Sequence, residues 1–308
     1  MKQIYPSYYN RFRCIAGDCR HSCCIGWEID VDADTMQTYR DFPDILRHID
    51  TSADPAHFRL SEDERCPFLN RCGLCEIILH HGEERLCQIC ADHLRFRNFF
   101  SNRTETGLGL CCEAAAHLIL GWRDRVTFDI TGIGSGGDSG NEREFFGMRE
   151  QMFRIVQNRD HPIGQRIGEL LAFADARLPE KSVTEWAEYL MGLECLDPLR
   201  DEILARVTDD GFPPEKAEEF AVPLEQLLVY FLYRHLAPSP EDGMLAARTA
   251  FAVLSTRMIC AMAAAIAENA EVSPDHLAEA ARLYSSEIEY SEENLDDLLW
   301  ELDDAQYE

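Results

Sequence analysis

The sequence predicts a mainly α protein: an irregular cysteine-rich N-terminal domain followed by an α-helical domain. Three observations carry this reading. Eleven of the thirteen cysteines precede residue 113. After residue 143, apolar residues recur at helical spacing in one segment after another. Between these textures lies Thr131-Gly-Ile-Gly-Ser-Gly-Gly-Asp-Ser-Gly140, which has the composition of a linker. The expected organisation is a domain over 1–128, a glycine-rich linker over 129–142 and a helical domain over 143–308.

Within the first part, Trp27 to Val31 reads as a short extended piece and Asp34 to Arg47 as helical. Leu74 to His80 leads into a turn at Gly82. Glu113 to Gly121 is a helix with Ala114, Ala115, Leu118 and Ile119 on its apolar side, and Val126 to Ile130 is a lone strand. In the second part, Phe145, Met148, Met152, Ile155 and Val156 share one helical face, as do Ile167, Leu170, Leu171 and Phe173. Thr184 to Leu193 continues the pattern. Pro213, Pro214 and Pro223 stand where helices open. Leu224 to Leu236 and Met244 to Ala267 read as long buried helices, and Ser273-Pro274 as the cap and first residue of another. From Glu287 onward the chain carries ten acids and no Lys or Arg, with Leu295, Leu298, Leu299 and Leu302 as an apolar stripe. This predicts an acidic amphipathic helix.

A chain of 308 residues can bury a substantial core. Met1 to Arg13 has no apolar stretch of the secretory kind. The longest apolar run, Met258 to Ala267, is too short to cross a bilayer. The expectation is a soluble cytoplasmic protein without a membrane partner. A net charge of −27 excludes nucleic acid as a natural partner, since phosphate binders present a basic face. It suits a lysine-bearing protein surface, and it equally serves solubility.

Clustered thiols in a reducing compartment are typically metal ligands, and an odd total argues against a full disulfide framework. The spacings are C-x4-C-x3-C-C at Cys14, Cys19, Cys23 and Cys24, then C-x5-C-x2-C at Cys66, Cys72 and Cys75. C-x2-C follows at Cys87 and Cys90, and C-C at Cys111 and Cys112. Thiolates are soft ligands for zinc, iron or an iron–sulfur cluster, and short spacing brings neighbours together at little entropic cost. The expected ligands are Cys14, Cys19, Cys23, Cys24, Cys66, Cys72, Cys75, Cys87, Cys90 and Cys111, which makes the N-terminal domain a metal-binding one. Adjacent cysteines seldom serve one ion, so one of Cys23/Cys24 and one of Cys111/Cys112 is a bystander or serves a second site. Cys195 and Cys260 read as core. His21, His80, His81 and His93 lie near the thiols, but each alone is more often a packing residue. Zinc and an iron–sulfur cluster both remain open, as does the grouping of ligands.

Phe12-Arg-Cys14-Ile-Ala-Gly-Asp-Cys19-Arg-His-Ser-Cys23-Cys24-Ile-Gly-Trp27 resembles the opening motif of the flagellin lysine N-methylase family. Cys66-Pro-Phe-Leu69, Gly73-Leu-Cys75-Glu-Ile77 and Leu86-Cys87-Gln-Ile-Cys90 resemble its continuation. Cys111-Cys112-Glu113-Ala114-Ala115 resembles its Cys-Pro-Glu-Ala-Ala step, with Cys112 in place of the proline. The scheme is also similar to that of zinc- or iron-chelating domains with a C-x2-C-x2-C-C core. These motifs cover about residues 8–120. The resemblance implies transfer of methyl groups from S-adenosylmethionine to surface lysines of flagellin, and a cysteine-bound metal or iron–sulfur centre.

The residues themselves supply less for methyl transfer. Asp129-Ile-Thr-Gly132-Ile-Gly134-Ser-Gly136 superficially matches a glycine-rich donor loop, but a doubly wound sheet needs further strands that the sequence does not offer. The linker reading is therefore preferred. A lysine amine must be deprotonated and held in line with the methyl group, work for acidic and aromatic side chains. Trp27, Glu28 and Glu113, with Tyr8 and Tyr9, lie nearest the thiols in sequence. The competing reading is a non-enzymatic zinc- or iron-chelating or redox-sensing module with a helical interaction domain. Donor binding separates the two.

Overall fold

The computed structural model describes residues 1–133, 137–268 and 270–307. Gly134, Ser135 and Gly136, the centre of the glycine-rich linker and of the donor-loop pattern, lie outside the described residues. The chain divides into two compact units, and not at the linker. The larger unit is Met1–Phe12, Phe96–Cys111 and Ala115–Glu308. The cysteine-rich unit is Arg13–Arg95 with Cys112–Ala114. The N-terminal dozen residues and the strand after Phe96 thus belong with the helices, because they form a sheet there.

Among the described residues there are six strands: β1 (Lys2–Pro6), β2 (Ile49–Asp50), β3 (His57–Phe58), β4 (Arg95–Phe99), β5 (Arg103–Leu108) and β6 (Phe128–Thr131). Four of them form one sheet in the order β4-β5-β1-β6. β1 runs parallel to β5, with Ile4 opposite Glu105, and antiparallel to β6, with Ile4 opposite Ile130. The strand expected to stand alone near Val126–Ile130 is therefore an edge of this sheet. β5 reads as a polar loop, Arg-Thr-Glu-Thr-Gly-Leu, yet it is buried from Thr104 to Leu108. Burial of Glu105 is compensated by Arg149, whose guanidinium donates to the carboxylate.

The helix Ala221–His235 packs against this sheet. Tyr233 donates to the Ile4 carbonyl at 3.0 Å and its ring stacks on Phe128, while Phe96 meets the Tyr230 and Tyr233 rings. Helices at Gly140–Val156, Val183–Met191 and Pro274–Tyr284 each open on a serine whose hydroxyl accepts a backbone N–H; Ser273 is the cap expected, whereas Ser139 and Gly140 fall within the expected linker and Ser182 carried no expectation. Leu245–Ala267 is 23 residues long, longer than its apolar run, and is apolar enough to cross a membrane by length and composition. Of its most apolar 18-residue stretch 83% is buried, and it packs on Ala221–His235, Pro274–Tyr284 and Glu292–Asp304, the placement of a core helix. The mainly α expectation holds. Cys260 is buried in this helix as expected, but Cys195 is exposed, its thiol turned to the Asp197 carbonyl.

The cysteine-rich unit is built from short pieces. The expected helix Asp34–Arg47 is two, Ala33–Tyr39 and Pro43–Leu46, because Pro43 cannot continue the first and instead starts the second. Helices Glu76–His81 and Gln88–Asp92 complete it, with Gly82 closing the first in a positive-φ conformation. Ile29, Val31, Tyr39, Ile45, Ile49, Phe58, Phe68 and Ile77 form the core together with Cys66 and Cys87.

Candidate functional site

None of the thirteen cysteines is joined in a disulfide. In the cysteine-rich unit they gather into two groups. The inner group is part of the core: Cys66 and Cys87 are buried in it, and Cys24, Cys75 and Cys90 pack against it. Local structure sets much of this. Cys75 and Cys87 are the residues that open the helices Glu76–His81 and Gln88–Asp92. Cys90 lies three residues past Cys87, and i, i+3 positions share a helix face, so these two thiols hydrogen-bond each other. Cys66 is tied to the first motif by its N–H, which donates to the Cys24 carbonyl at 2.9 Å.

Ionisation is shared unequally within the pairs. The Cys90 thiol holds Cys87 below the ordinary thiol value while keeping its own proton. Cys23 does the same for Cys24, lowering it to about 7. Burial pushes Cys66 up to about 12. Each pair thus favours ionisation at one of its two sulphurs, and the thiolate is the form that binds metal. Among the described residues, no three sulphurs come within 4.8 Å of one another; they approach as pairs.

The outer group is Cys14, Cys19, Cys23 and Cys112, which sense one another electrostatically. Glu113 organises it. Its carboxylate accepts from the Arg20 backbone N–H at 2.9 Å and from Arg20 Nε at 3.0 Å, and it stands 3.7 Å from Cys19 Sγ. Burial opposes ionisation of Glu113, but these bonds hold its carboxyl below the usual range. Burial also pushes Cys19 up to about 11. Adjacent cysteines therefore part company. Cys24 faces the inner group and Cys23 the outer one; Cys112 joins the outer group, whereas Cys111 lies in the larger unit beside Tyr290. Cys72 is exposed on the Asn70–Gly73 turn, its N–H bonded to Asn70 Oδ1.

Two residues that sequence reading passed over hold the knuckles together. A Cβ on Gly17 would lie 2.4 Å from the Cys72 carbonyl oxygen, and one on Gly73, at φ +71°, would meet Gly17 Cα at 3.0 Å. The loop carrying Cys14 and Cys19 therefore passes directly over the loop carrying Cys72 and Cys75, which only glycine permits. The glycines inside both motifs were the available signal.

The remaining sequence candidates separate. Trp27 donates Nε1–H to the Cys23 carbonyl at 2.7 Å and stacks on His93. Glu28 is exposed with His57 Nε2 at 3.4 Å. His81 is engaged by Asp44 at 2.8 Å and packs on Phe42; His80 precedes it on the same short helix. His21 lies within electrostatic reach of Glu113. Tyr8 and Tyr9 belong to the larger unit, against Trp122 and Tyr5.

The larger unit holds a second concentration of chemistry. A π-helical segment, Ser285–Glu289, turns Glu289 into the interior. The carboxylate accepts from Tyr230 Oη at 2.9 Å and His235 Nε2 at 2.6 Å, with Arg234 Nε at 3.3 Å. Burial opposes ionisation, yet Arg234 and the His235 bond hold the Glu289 carboxyl below its ordinary value. Arg234 also lies over the rings of Phe96 and Tyr290. The sequence places Glu287 and Glu289 at the head of a solvated acidic run, whereas both are buried. π turns recur at functional sites, but no sequence period announces one.

Residues 214–308 match the family model of the FliB lysine N-methylase C-terminal domain, a span that contains the whole Glu289 network. Over 136 residues, 39% of this chain, the sequence is 27% identical to a lysine-N-methylase of Salmonella typhimurium strain LT2 and 26% identical to one of Salmonella choleraesuis. It is likewise 26% identical to the flagellar biosynthetic protein FliU of Salmonella muenchen. The matched region spans about a third (33%) of each Salmonella lysine-N-methylase and 79% of FliU. No solved structure matches the chain.

Proposed function

The chain is a relative of the flagellin lysine N-methylase family, and on that premise we propose that it methylates surface lysines of flagellin with S-adenosylmethionine as donor. The observation that carries the proposal is the match of residues 214–308 to the lysine N-methylase domain. In the reaction, the lone pair of a neutral lysine Nε attacks the donor's methyl carbon. The sulfonium–methyl bond breaks, sulphur keeps the electron pair, and the methylated nitrogen releases a proton. In-line placement of amine and methyl group is the main requirement. The net charge of −27 would draw a lysine-rich target, and the last helix, Glu292–Asp304, presents Glu293, Asp296, Asp297 and an exposed Trp300 to such cations.

The thiols fit a soft metal centre. The inner group offers five sulphurs in one core, with one thiolate favoured in each hydrogen-bonded pair. Cys24, Cys66, Cys75, Cys87 and Cys90 would hold it, with Cys14, Cys19, Cys23 and Cys112 available to a second centre. Around a single zinc, Zn–S bonds of about 2.3 Å put sulphurs about 3.8 Å apart. The donor set suits either zinc or an iron–sulfur cluster. When bound, the centre supplies folding free energy to a unit whose helices are too short to stand alone. Glu113 and Arg20 order the outer loop, and the Trp27 indole N–H fixes the Cys23 carbonyl.

The test is the intact mass of flagellin after incubation with the metal-loaded full chain and S-adenosylmethionine. Methyl-sized increments that vanish without donor, and in Cys66→Ser/Cys90→Ser, support the proposal. No increments together with no donor binding by calorimetry would overturn it in favour of a non-enzymatic metal module.

A further inference from the structure

We infer that Glu28, Asp30 and His57 form a divalent-cation site on the cysteine-rich unit, separate from the thiols. Glu28 and Asp30 are two apart on an extended segment, so their side chains share a face. His57 stands across from them, bridged to Asp30 through the backbone. The pairing is pinned on both sides: Val31 N–H donates to the Ala56 carbonyl at 2.7 Å, and Phe58 N–H to that of Ile29 at 3.0 Å. One ligand atom from each of the three side chains lies within 4.8 Å of the other two.

The histidine is oriented for ligation. Its Nδ1 lies 3.3 Å from the Pro55 carbonyl, which can only accept, so Nδ1 carries the proton. Nε2 is thereby left to face Glu28 Oε2 at 3.4 Å. A backbone carbonyl on the far ring nitrogen is the common support of a metal-bound imidazole. One imidazole and two carboxylates make a nitrogen–oxygen donor set suited to Mn²⁺, Fe²⁺ or Zn²⁺, harder than the thiols. The Glu28 side chain is 61% exposed and that of His57 21%, which leaves coordination positions open to water. An ion here clasps the segment following Cys24 to the segment preceding Cys66, and the acidic surface concentrates cations around it.

The experiment titrates MnCl₂ into the full chain with its thiols already metal-loaded, read by electron paramagnetic resonance. The expected result is one tightly bound Mn²⁺ per chain that shows nitrogen coupling from one imidazole. His57→Gln removes the nitrogen coupling. Asp30→Asn and the solvent-exposed Glu28→Gln each weaken binding about tenfold or more. Two outcomes overturn the inference. Binding that lacks nitrogen coupling, or that is equal in wild type, His57→Gln and Glu28→Gln, means diffuse attraction to acids. No bound Mn²⁺ means that Glu28 and His57 form an ion pair only.

Discussion

The two units hold their folds by different means. The larger unit has a 23-residue helix, a sheet with β5 buried, and buried carboxylates each met by arginine: Glu105 by Arg149, Glu225 by Arg166 and the outer Arg159, and Glu289 by Arg234 and His235. The cysteine-rich unit has helices of four to seven residues, and five thiols stand in or against its core. Isolated helices below about 12 residues are marginal in water. The contrast teaches that one unit closes its core with long helices and ion pairs, while the other places thiols where such a core would otherwise be aliphatic.

The largest effect should come from breaking that contrast. Chelation, or Cys66→Ser with Cys87→Ser, is expected to remove bound metal and with it a stabilisation on the order of 10 kcal/mol for structural thiolate sites. Hydrogen exchange should rise across residues 13–95 and stay slow in Leu245–Ala267. Equal exchange in both regions before and after chelation would show that the thiols are not what holds the unit.

Next in size is Glu225→Ala. It strands the buried Arg166 and deprives Arg159 of its partner, for a loss of about 3–5 kcal/mol. The melting temperature should fall while metal content stays unchanged. Gly17→Ala sharpens the comparison from the other side. Its methyl group would press on the Cys72 carbonyl, costing about 1–3 kcal/mol and loosening metal retention, with no change in exchange of the larger unit.

The smallest effect is electrostatic. Burial opposes ionisation of Glu142, but bonds from Ser101 and Ser139 hold its carboxyl down at about 2, against an ordinary value of 4.5. A depressed carboxyl contributes stability fully above the ordinary value and loses it as pH falls toward 2. Stability of the larger unit should therefore decline over that window, and Glu142→Gln should flatten the decline. Ser139→Ala, which removes the cap, should cost about 1 kcal/mol. Denaturant midpoints measured from pH 5 to pH 2 check both.

Legibility in the sequence followed the range of the interaction. Ser273 was readable as a helix start because a cap acts within three residues. The Cys87/Cys90 pair was readable because one helical turn brings the thiols together. β5 was not. Its Thr104, Glu105 and Thr106 look solvated until Arg149, 44 residues on, neutralises the carboxylate. Nor was the burial of Glu289, whose partners Tyr230, Arg234 and His235 lie 54 to 59 residues earlier. Nor was the sorting of Cys23 from Cys24, or of Cys111 from Cys112, which adjacent positions in the sequence do not distinguish.

By itself, then, the sequence determined the mainly helical run of the second part, the Ser273 cap, the supply of soft ligands and the kinship those ligands signal, because period, capping and short spacing act between near neighbours. The tertiary structure alone decided which thiols share a group, which acids are buried, where the two units divide and which carboxylates meet His57. Those outcomes turn on pairings between residues far apart in the chain, whose closure costs and compensating charges no local pattern records.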